Sequence, residues 1–388
     1  MMAQAPNNHY PWRQGNRFRL LYDGIAFYPA MLEAIQQAQD YILLEMYLIE
    51  SGEIAEQFIQ ALQEAANRGV RIYIIIDDLG SIHFHAHDRL RLQSPNIQLY
   101  IYNPLRLRRW LTNVYRDHRK QLTVDGRITF TGGMGISDVF YQGHENPWRE
   151  TVLQIEGEMI NDWQQLFIQQ WQHWMGETIV TRAALALAEQ QKGRLLSTRG
   201  GDRLELKRSL IQQIRRSQSR IWITTAYFMP SRKVRRELRL AVQRGVDVRL
   251  LLPGHHTDHP SVRYAGRRYY RKLLEGKVRI FEYQPSFIHA KVIICDDWLT
   301  VGSANFDRWS FRWALEANQE IDSPLFSQQA AQQFLLDQKA ANEIHLHDWL
   351  NRSLWQRMHE WLWGRVDRIM EFTHKRSHLA RKNPYRRK

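Results

Sequence analysis

The chain carries the pattern H-x-K-x-x-x-x-D twice, as His118-Arg-Lys-Gln-Leu-Thr-Val-Asp125 and as His289-Ala-Lys-Val-Ile-Ile-Cys-Asp296, 171 positions apart. Other landmarks repeat with it: Tyr47 with Tyr227, Gly69 with Gly245, Gly132 with Gly302 and Glu150 with Glu316, at separations of 180, 176, 170 and 166. The separation shrinks in one direction along the chain, as expected of a duplicated domain with small loop deletions. Such a chain must fold as two related halves, and the doubled motif predicts one composite site between them.

The residue types in each copy imply a chemistry. Residues two apart on an extended segment face the same way, so His118 projects with Lys120 and His289 with Lys291. An imidazole can attack phosphorus and leave again, while an ammonium neutralises the non-bridging oxygens as charge develops. That pairing suits phosphoryl transfer with no metal and no other cofactor. Small-residue turns follow each motif, Thr131-Gly-Gly-Met-Gly135 and Val301-Gly-Ser-Ala-Asn305. Gly132 and Gly133 let backbone N–H groups approach a phosphate, and Ser303 and Asn305 add side-chain donors. Glu150 and Glu316 are candidates for orienting the histidine rings, each across the interface between halves. Asp125 and Asp296 complete the motifs. Five residues beyond their lysines, they read as anchors of strand and loop rather than as groups on the substrate.

The periodicity predicts an α/β protein. Residues 18–22 read as a strand, Asp23-Gly24 as a turn, 28–38 as a helix and 41–47 as a strand. Residues 54–67 are helical with Arg68-Gly69 as the cap, and 70–76 form a strand apolar except for Arg71, the signature of a sheet buried on both faces. The second half repeats this at 220–228, 234–243, Gly245 and 246–252. The expected plan is a loose stretch 1–15, a first domain 16–183 and a linker 184–203 after a helical Ala-rich stretch. A second domain 204–343 and a C-terminal segment 344–388 follow.

The formal net charge of +14 implies an anionic partner, nucleic acid or an anionic lipid surface. No run of about 20 uncharged apolar residues appears, and Met1-Met-Ala-Gln-Ala-Pro6 has no apolar signal core, which predicts a chain that stays in the cytoplasm. Cys295, the single cysteine, excludes internal disulfides and a cysteine-based zinc site and reads as a packed strand residue. His83-Phe-His-Ala-His-Asp88 and Gly254-His-His-Thr-Asp-His259 lack the spacing of a known zinc site and read as loops facing solvent or a headgroup. The stretches Leu105-Arg-Leu-Arg-Arg-Trp110 and Arg263-Tyr-Ala-Gly-Arg-Arg-Tyr-Tyr-Arg271 fit single-stranded nucleic acid and a membrane interface equally. The C-terminal region decides for the membrane. Leu350, Leu354, Met358, Trp361, Leu362, Val366, Ile369 and Met370 recur at helical spacing, Trp349, Trp355 and Trp363 widen that face, and the tail 375–388 has seven Lys or Arg and no acid. That is the composition of an interfacial anchor, with a helix packed on the catalytic body as the plain alternative.

On these residues the chain resembles the phospholipase D superfamily, and within it the bacterial cardiolipin synthases of phospholipase D type. It is most similar to the B subgroup, which lacks the N-terminal transmembrane helices of the longer synthases. The likeness runs from about Trp12 to about residue 325, through Tyr22-Asp-Gly24, Leu44-Glu-Met-Tyr47, Asn67-Arg-Gly-Val70, Asp117-His-Arg-Lys120, Ala226-Tyr-Phe228 and Gly302-Ser-Ala-Asn-Phe-Asp307. The resemblance implies two pseudo-symmetric phospholipase D-type domains, each a mostly parallel or mixed sheet flanked by helices, sharing one central active site. It implies transfer of a phosphatidyl group from one phosphatidylglycerol to another through a phosphatidyl-histidine, with release of glycerol and formation of cardiolipin. His118 would be the nucleophile and His289 the acid/base, with the reverse assignment open, and Lys120, Lys291, Ser303 and Asn305 would hold the phosphate. The expected partner is an anionic membrane of phosphatidylglycerol and cardiolipin, met peripherally on the cytoplasmic side, and no nucleic acid is expected. The alternatives are a phospholipase D or another headgroup transferase using water, glycerol or ethanolamine, a phospholipase D-type nuclease, and a non-catalytic membrane binder. Gly135 departs from the family, which usually carries asparagine there.

Overall fold

A computed structural model describes residues 10–105, 113–198, 205–307, 314–352 and Met358. The first half supplies strands β1 (Arg13–Tyr22), β2 (Tyr41–Met46), β3 (Arg71–Asp77), β4 (Ile97–Tyr102), β5 (Arg116–Asp117), β6 (Lys120–Val124), β7 (Ile128–Gly132) and β8 (Thr151–Gly157). The second half supplies β9 (Gln191–Ser197), β10 (Arg220–Thr224), β11 (Asp247–Pro253), β12 (Arg279–Tyr283), β13 (Val292–Cys295), β14 (Trp298–Gly302), β15 (Ala314–Leu315), β16 (Ala317–Asp322) and β17 (Ala341–Glu343). Helices α1 (Asp23–Gln36), α2 (Glu53–Asn67), α3 (Ala86–Arg91) and α4 (Ile160–Met175) belong to the first half. The second has α5 (Glu205–Arg216), α6 (Arg232–Gln243), α7 (Pro260–Arg267), α8 (Tyr270–Glu275), α9 (Pro324–Lys339) and α10 (Leu346–Leu350).

Fifteen strands form one continuous sheet in the order β17-β12-β11-β10-β13-β14-β16-β9-β1-β8-β7-β6-β2-β3-β4. Read outward from the β9–β1 pair, the two sides have the same plan, so the duplication in the sequence is a duplication of topology. The pairs β2–β3, β3–β4, β10–β11 and β11–β12 are parallel and the pairs inward of them antiparallel. The parallel core follows from β-α-β units whose strands are buried on both faces: all of β2 is buried, as are Ile72, Ile74, Ile75 and Ile76 of β3. Gly69 and Gly245 end the matching helices in the left-handed region, at φ +90° and +91°, where glycine costs nothing.

Several expectations need correction. The stretch 1–15 is not loose up to its end, because β1 begins at Arg13, whose guanidinium donates to both oxygens of Asp162. Asp23-Gly24 is the first turn of α1 rather than a separate turn. The stretch 184–203 contains β9, the first strand of the second half, which pairs with β1 and β16 and joins the halves. Gly193 conceals it, reading as a breaker in sequence. In the fold it allows close approach, since a Cβ there would stand 2.6 Å from the Phe18 ring and 2.7 Å from the Gln319 amide. The Ala-rich stretch has no helix over 176–188. Its backbone N–H groups bond outward instead: Arg182 donates to the Tyr41 hydroxyl, Ala184 to Asn161 Oδ1 and Leu187 to the Gly15 carbonyl.

At the C-terminal end, Trp349 on α10 is buried, its ring 4.9 Å from that of Tyr270 and beneath the Arg352 guanidinium. The start of the amphipathic stretch therefore packs on the second half. The rest of that stretch, and residues 106–110 of the first basic aromatic run, lie outside the described residues. The second basic aromatic run forms α7 and α8, where Arg263 and Arg267 donate to Glu282 and Tyr270 is buried. Among the described residues no helix is long and apolar enough to cross a membrane.

Candidate active site

β5 and β6 bracket His118 and Lys120, and His289 and Lys291 immediately precede β13. Each motif ends far from its histidine, at an aspartate with φ +52°. Asp125 accepts from the backbone N–H of Gln39, Asp40 and Tyr41, and Asp296 accepts from those of Gln218, Ser219 and Arg220. These carboxylates fasten the far ends of the motif strands to the starts of β2 and β10 and are not in the site.

The histidines are held by the opposite half. His118 donates its backbone N–H to the Leu315 carbonyl at 2.9 Å, and His289 donates its own to the Arg149 carbonyl at 2.8 Å. In each case the next residue along the acceptor strand is the glutamate that meets the imidazole. Glu316 Oε2 is 3.1 Å from His118 Nδ1, and Glu150 Oε2 is 2.6 Å from His289 Nδ1. Each half thus supplies a histidine to one side of the cleft and the support for the other half's histidine. A carboxylate on Nδ1 fixes the proton there and leaves the Nε2 lone pair available.

The lysines close the set. Lys120 Nζ donates to the His118 carbonyl at 2.6 Å and lies 4.8 Å above the Tyr47 ring, whose centre is 4.6 Å from that of His118. Lys291 Nζ donates to the His289 carbonyl at 2.5 Å and stands 3.1 Å from both of its ring nitrogens. Both ammonium groups are almost fully buried. Burial, relieved in part by Glu316, pushes the Lys120 pKa down to about 7, and burial also lowers that of Lys291. Burial pushes His289 down to about 4, with Lys291 adding to the effect, and lowers His118 against the pull of Glu316. For Glu150, burial opposes ionisation, yet Lys291 and the His289 hydrogen bond hold its pKa below the ordinary carboxylate value. His118 and Lys120 both feel Lys291, so the two motifs lie in one electrostatic site.

The two sides differ at the turns. Ser303 Oγ donates to Glu316 Oε2 at 2.5 Å and accepts from the Ala317 backbone N–H. Its counterpart is Gly133, where a Cβ would stand 2.3 Å from Glu150 Oε2 and 2.8 Å from Lys291 Nζ. Glu150 instead takes the Thr151 backbone N–H at 2.7 Å. Gly132 ends β7 against Thr151, and Asn305 is buried on the second side. Gly135 is packed on Leu48, whose carbonyl and side chain would lie 2.8–2.9 Å from any Cβ. A side chain at Gly135 would require Leu48 to shift. Gly133→Ala is expected to lower turnover by about 10- to 100-fold by displacing Glu150 and Lys291, with little change in melting temperature; unchanged kcat would refute that packing argument.

Sequence reasoning uses Tyr47 and Tyr227 only as landmarks, gives no role to Arg149 and Leu315, and reads Asp258 only as part of a loop facing solvent or a headgroup. Their signal is spatial, since each reaches the site across many residues of sequence. Neither histidine-rich loop gathers three metal-ligating side chains among the described residues. Asp88 accepts from Ser51 Oγ, and His255 and His256 stack on each other.

A model of the family described as cardiolipin synthase, phospholipase D-like domain, matches residues 31–171 and 210–337, one stretch in each half. The chain belongs to that family. It is therefore a phosphatidyltransferase of phospholipase D type. Cardiolipin synthase of Clostridium perfringens (strain 13) is 29% identical over 389 residues, covering 95% of this chain and 80% of its own. Cardiolipin synthase A of Pseudomonas putida is 31% identical over 357 residues, covering 90% and 73%. Among solved structures, a phosphatidylserine synthase of Haemophilus influenzae superposes with a TM-score of 0.70 at 15% identity, over 94% of this chain and 96% of its own. That likeness shows the shared fold.

Proposed function

We propose that the protein makes cardiolipin from two molecules of phosphatidylglycerol. The observation that carries this is the pair of histidines, each clamped by a glutamate of the opposite half beside two buried ammonium groups, in a member of this family. His118 Nε2 attacks the phosphorus of the first lipid, the P–O bond to the headgroup breaks, and His289 gives its proton to the departing glycerol oxygen. The product of this step is a phosphatidyl-His118. A hydroxyl of the second phosphatidylglycerol then loses its proton to His289 as its oxygen attacks phosphorus, and the P–N bond breaks. Lys120, Lys291 and Asn305 take the phosphate oxygens, whereas Ser303, expected from the sequence to join them, gives its one hydroxyl proton to Glu316. The buried lysines suit this task because a phosphodiester anion restores the charge balance that burial disturbs.

The protein meets its substrate at an anionic membrane surface, peripherally and from the cytoplasmic side, drawn by its excess of 14 positive charges. The test is to incubate the purified protein with phosphatidylglycerol vesicles and identify the lipid products by mass spectrometry. Cardiolipin and free glycerol are expected from the wild type, and neither from His118→Ala. Phosphatidic acid as the sole product would make water the acceptor and overturn the synthase reading.

A further inference from the structure

Around His289 the cleft holds a carboxylate that the transfer chemistry leaves unused. Tyr227 follows the carboxyl end of β10, the position that Tyr47 takes after β2, and such strand ends form the crevice of an α/β sheet. The Tyr227 hydroxyl donates to Asp258 Oδ2 at 2.5 Å. Its ring lies 6.3 Å from Phe287, which is 5.6 Å from the His289 ring. Asp258 stands in the loop after β11, with His259 Nε2 at 3.8 Å. Its charge is felt by His289, Lys291 and Tyr47 as well as by Tyr227. Tyr227 also lines a small pocket with Phe228, Pro253, Val262 and Arg263.

Among the described residues the first half has no matching device. After β3, Asp77 accepts from Arg116 and the Asp117 backbone N–H, and Asp78 accepts from the Leu105 backbone N–H, so these carboxylates hold their own loops. Asp258 is thus an addition on one side of a nearly symmetric cleft. In a cleft whose lysines face a phosphate, a carboxylate repels that phosphate, and its chemical use there is to accept hydrogen bonds from hydroxyl groups. A vicinal diol offers two such donors.

We propose that Asp258 and Tyr227 form the acceptor subsite of the cleft, binding the glycerol diol of the incoming phosphatidylglycerol and presenting one hydroxyl to His289. This rests on the synthase reading and adds to it the half of the site that chooses a polyol over water. Asp258 and Tyr227 are positioning residues, with the proton still going to His289.

The test uses the full chain with phosphatidylglycerol vesicles, for wild type, Asp258→Ala and Tyr227→Phe, following cardiolipin and phosphatidic acid together. A parallel assay follows exchange of labelled free glycerol into phosphatidylglycerol. The ratio of cardiolipin to phosphatidic acid is expected to fall by about tenfold in Asp258→Ala and by less in Tyr227→Phe, with a matching rise in KM for glycerol, because a site built to hydrogen-bond a hydroxyl discriminates through those bonds. Cardiolipin and phosphatidic acid falling in proportion would mean a structural role and overturn the inference. So would transfer to ethanolamine or serine that is lost in Asp258→Ala while cardiolipin formation persists, since the carboxylate would then serve an ammonium group. A wild type that makes no cardiolipin removes the synthase reading itself, an outcome the variants do not share. Tyr227→Phe removes one oxygen atom, so a melting curve like the wild type's guards against misfolding as the cause.

Discussion

His118→Ala is expected to lower phosphatidyl transfer by about 10⁴-fold or more, and His289→Ala by about 10²- to 10⁴-fold, while both variants melt close to the wild type. The difference follows from the roles proposed: without His118 no covalent intermediate forms, whereas without His289 the intermediate forms slowly because the leaving oxygen departs unprotonated. A phosphatidyl substrate with a p-nitrophenolate leaving group separates the two. It needs no proton on departure, so it is expected to restore formation of the phosphatidyl-enzyme in His289→Ala and not in His118→Ala. Restoration in His118→Ala alone would exchange the roles. The pH dependence has a sign of its own. Burial lowers the His118 pKa below its ordinary 6.5, so loss of the unprotonated nucleophile sets in only below that value, while the proposed acid His289 is largely unprotonated in the free site at neutral pH; kcat/KM is therefore expected to rise as pH falls from about 8 toward about 6.5. His289, near 4 in the free site, becomes an effective acid when the phosphodiester anion binds and favours its protonated form.

The duplication, the parallel cores and the residues of the two motifs can be read from the chain because they are local. Spacing within β6 and β13, glycine at Gly69 and Gly245, and apolar runs such as Ile74–Ile76 carry them directly. The exchange of Glu150 and Glu316 across the halves is also foreseen, and the structure has it. What cannot be read is the seam that brings the halves together, because β9 is hidden by Gly193 and flanking charges that look like a linker. The Trp-rich C-terminal pattern misleads at Trp349 for a related reason. An apolar helix face looks the same in sequence whether a membrane or Tyr270 covers it, and here Tyr270 does.

Arg149→Ala is expected to destabilise the fold by about 3 kcal/mol, measured by chemical denaturation, because it leaves two partly buried carboxylates without their cation. Arg149 is buried, donates through Nε and Nη2 to both oxygens of Asp337 at 3.0 Å, and reaches Asp23 Oδ1 at 3.0 Å. Asp337 lies on α9 of the second half and Asp23 at the start of α1 in the first, so one guanidinium ties both halves. The same residue's carbonyl accepts the backbone N–H groups of His289 and Ala290, and its neighbour Glu150 orients the His289 ring. Loss of the guanidinium therefore loosens the strand that positions the acid/base, and kcat is expected to fall by about tenfold or more even at temperatures where the variant is folded. Arg149→Lys cannot reproduce the fork to Asp337 and should recover only part of the stability. The double variant Arg149→Ala, Asp337→Ala should be more stable than Arg149→Ala alone, since it removes the stranded charge. A single variant within about 0.5 kcal/mol of the wild type would mean that this ion pair contributes no more than an exposed one.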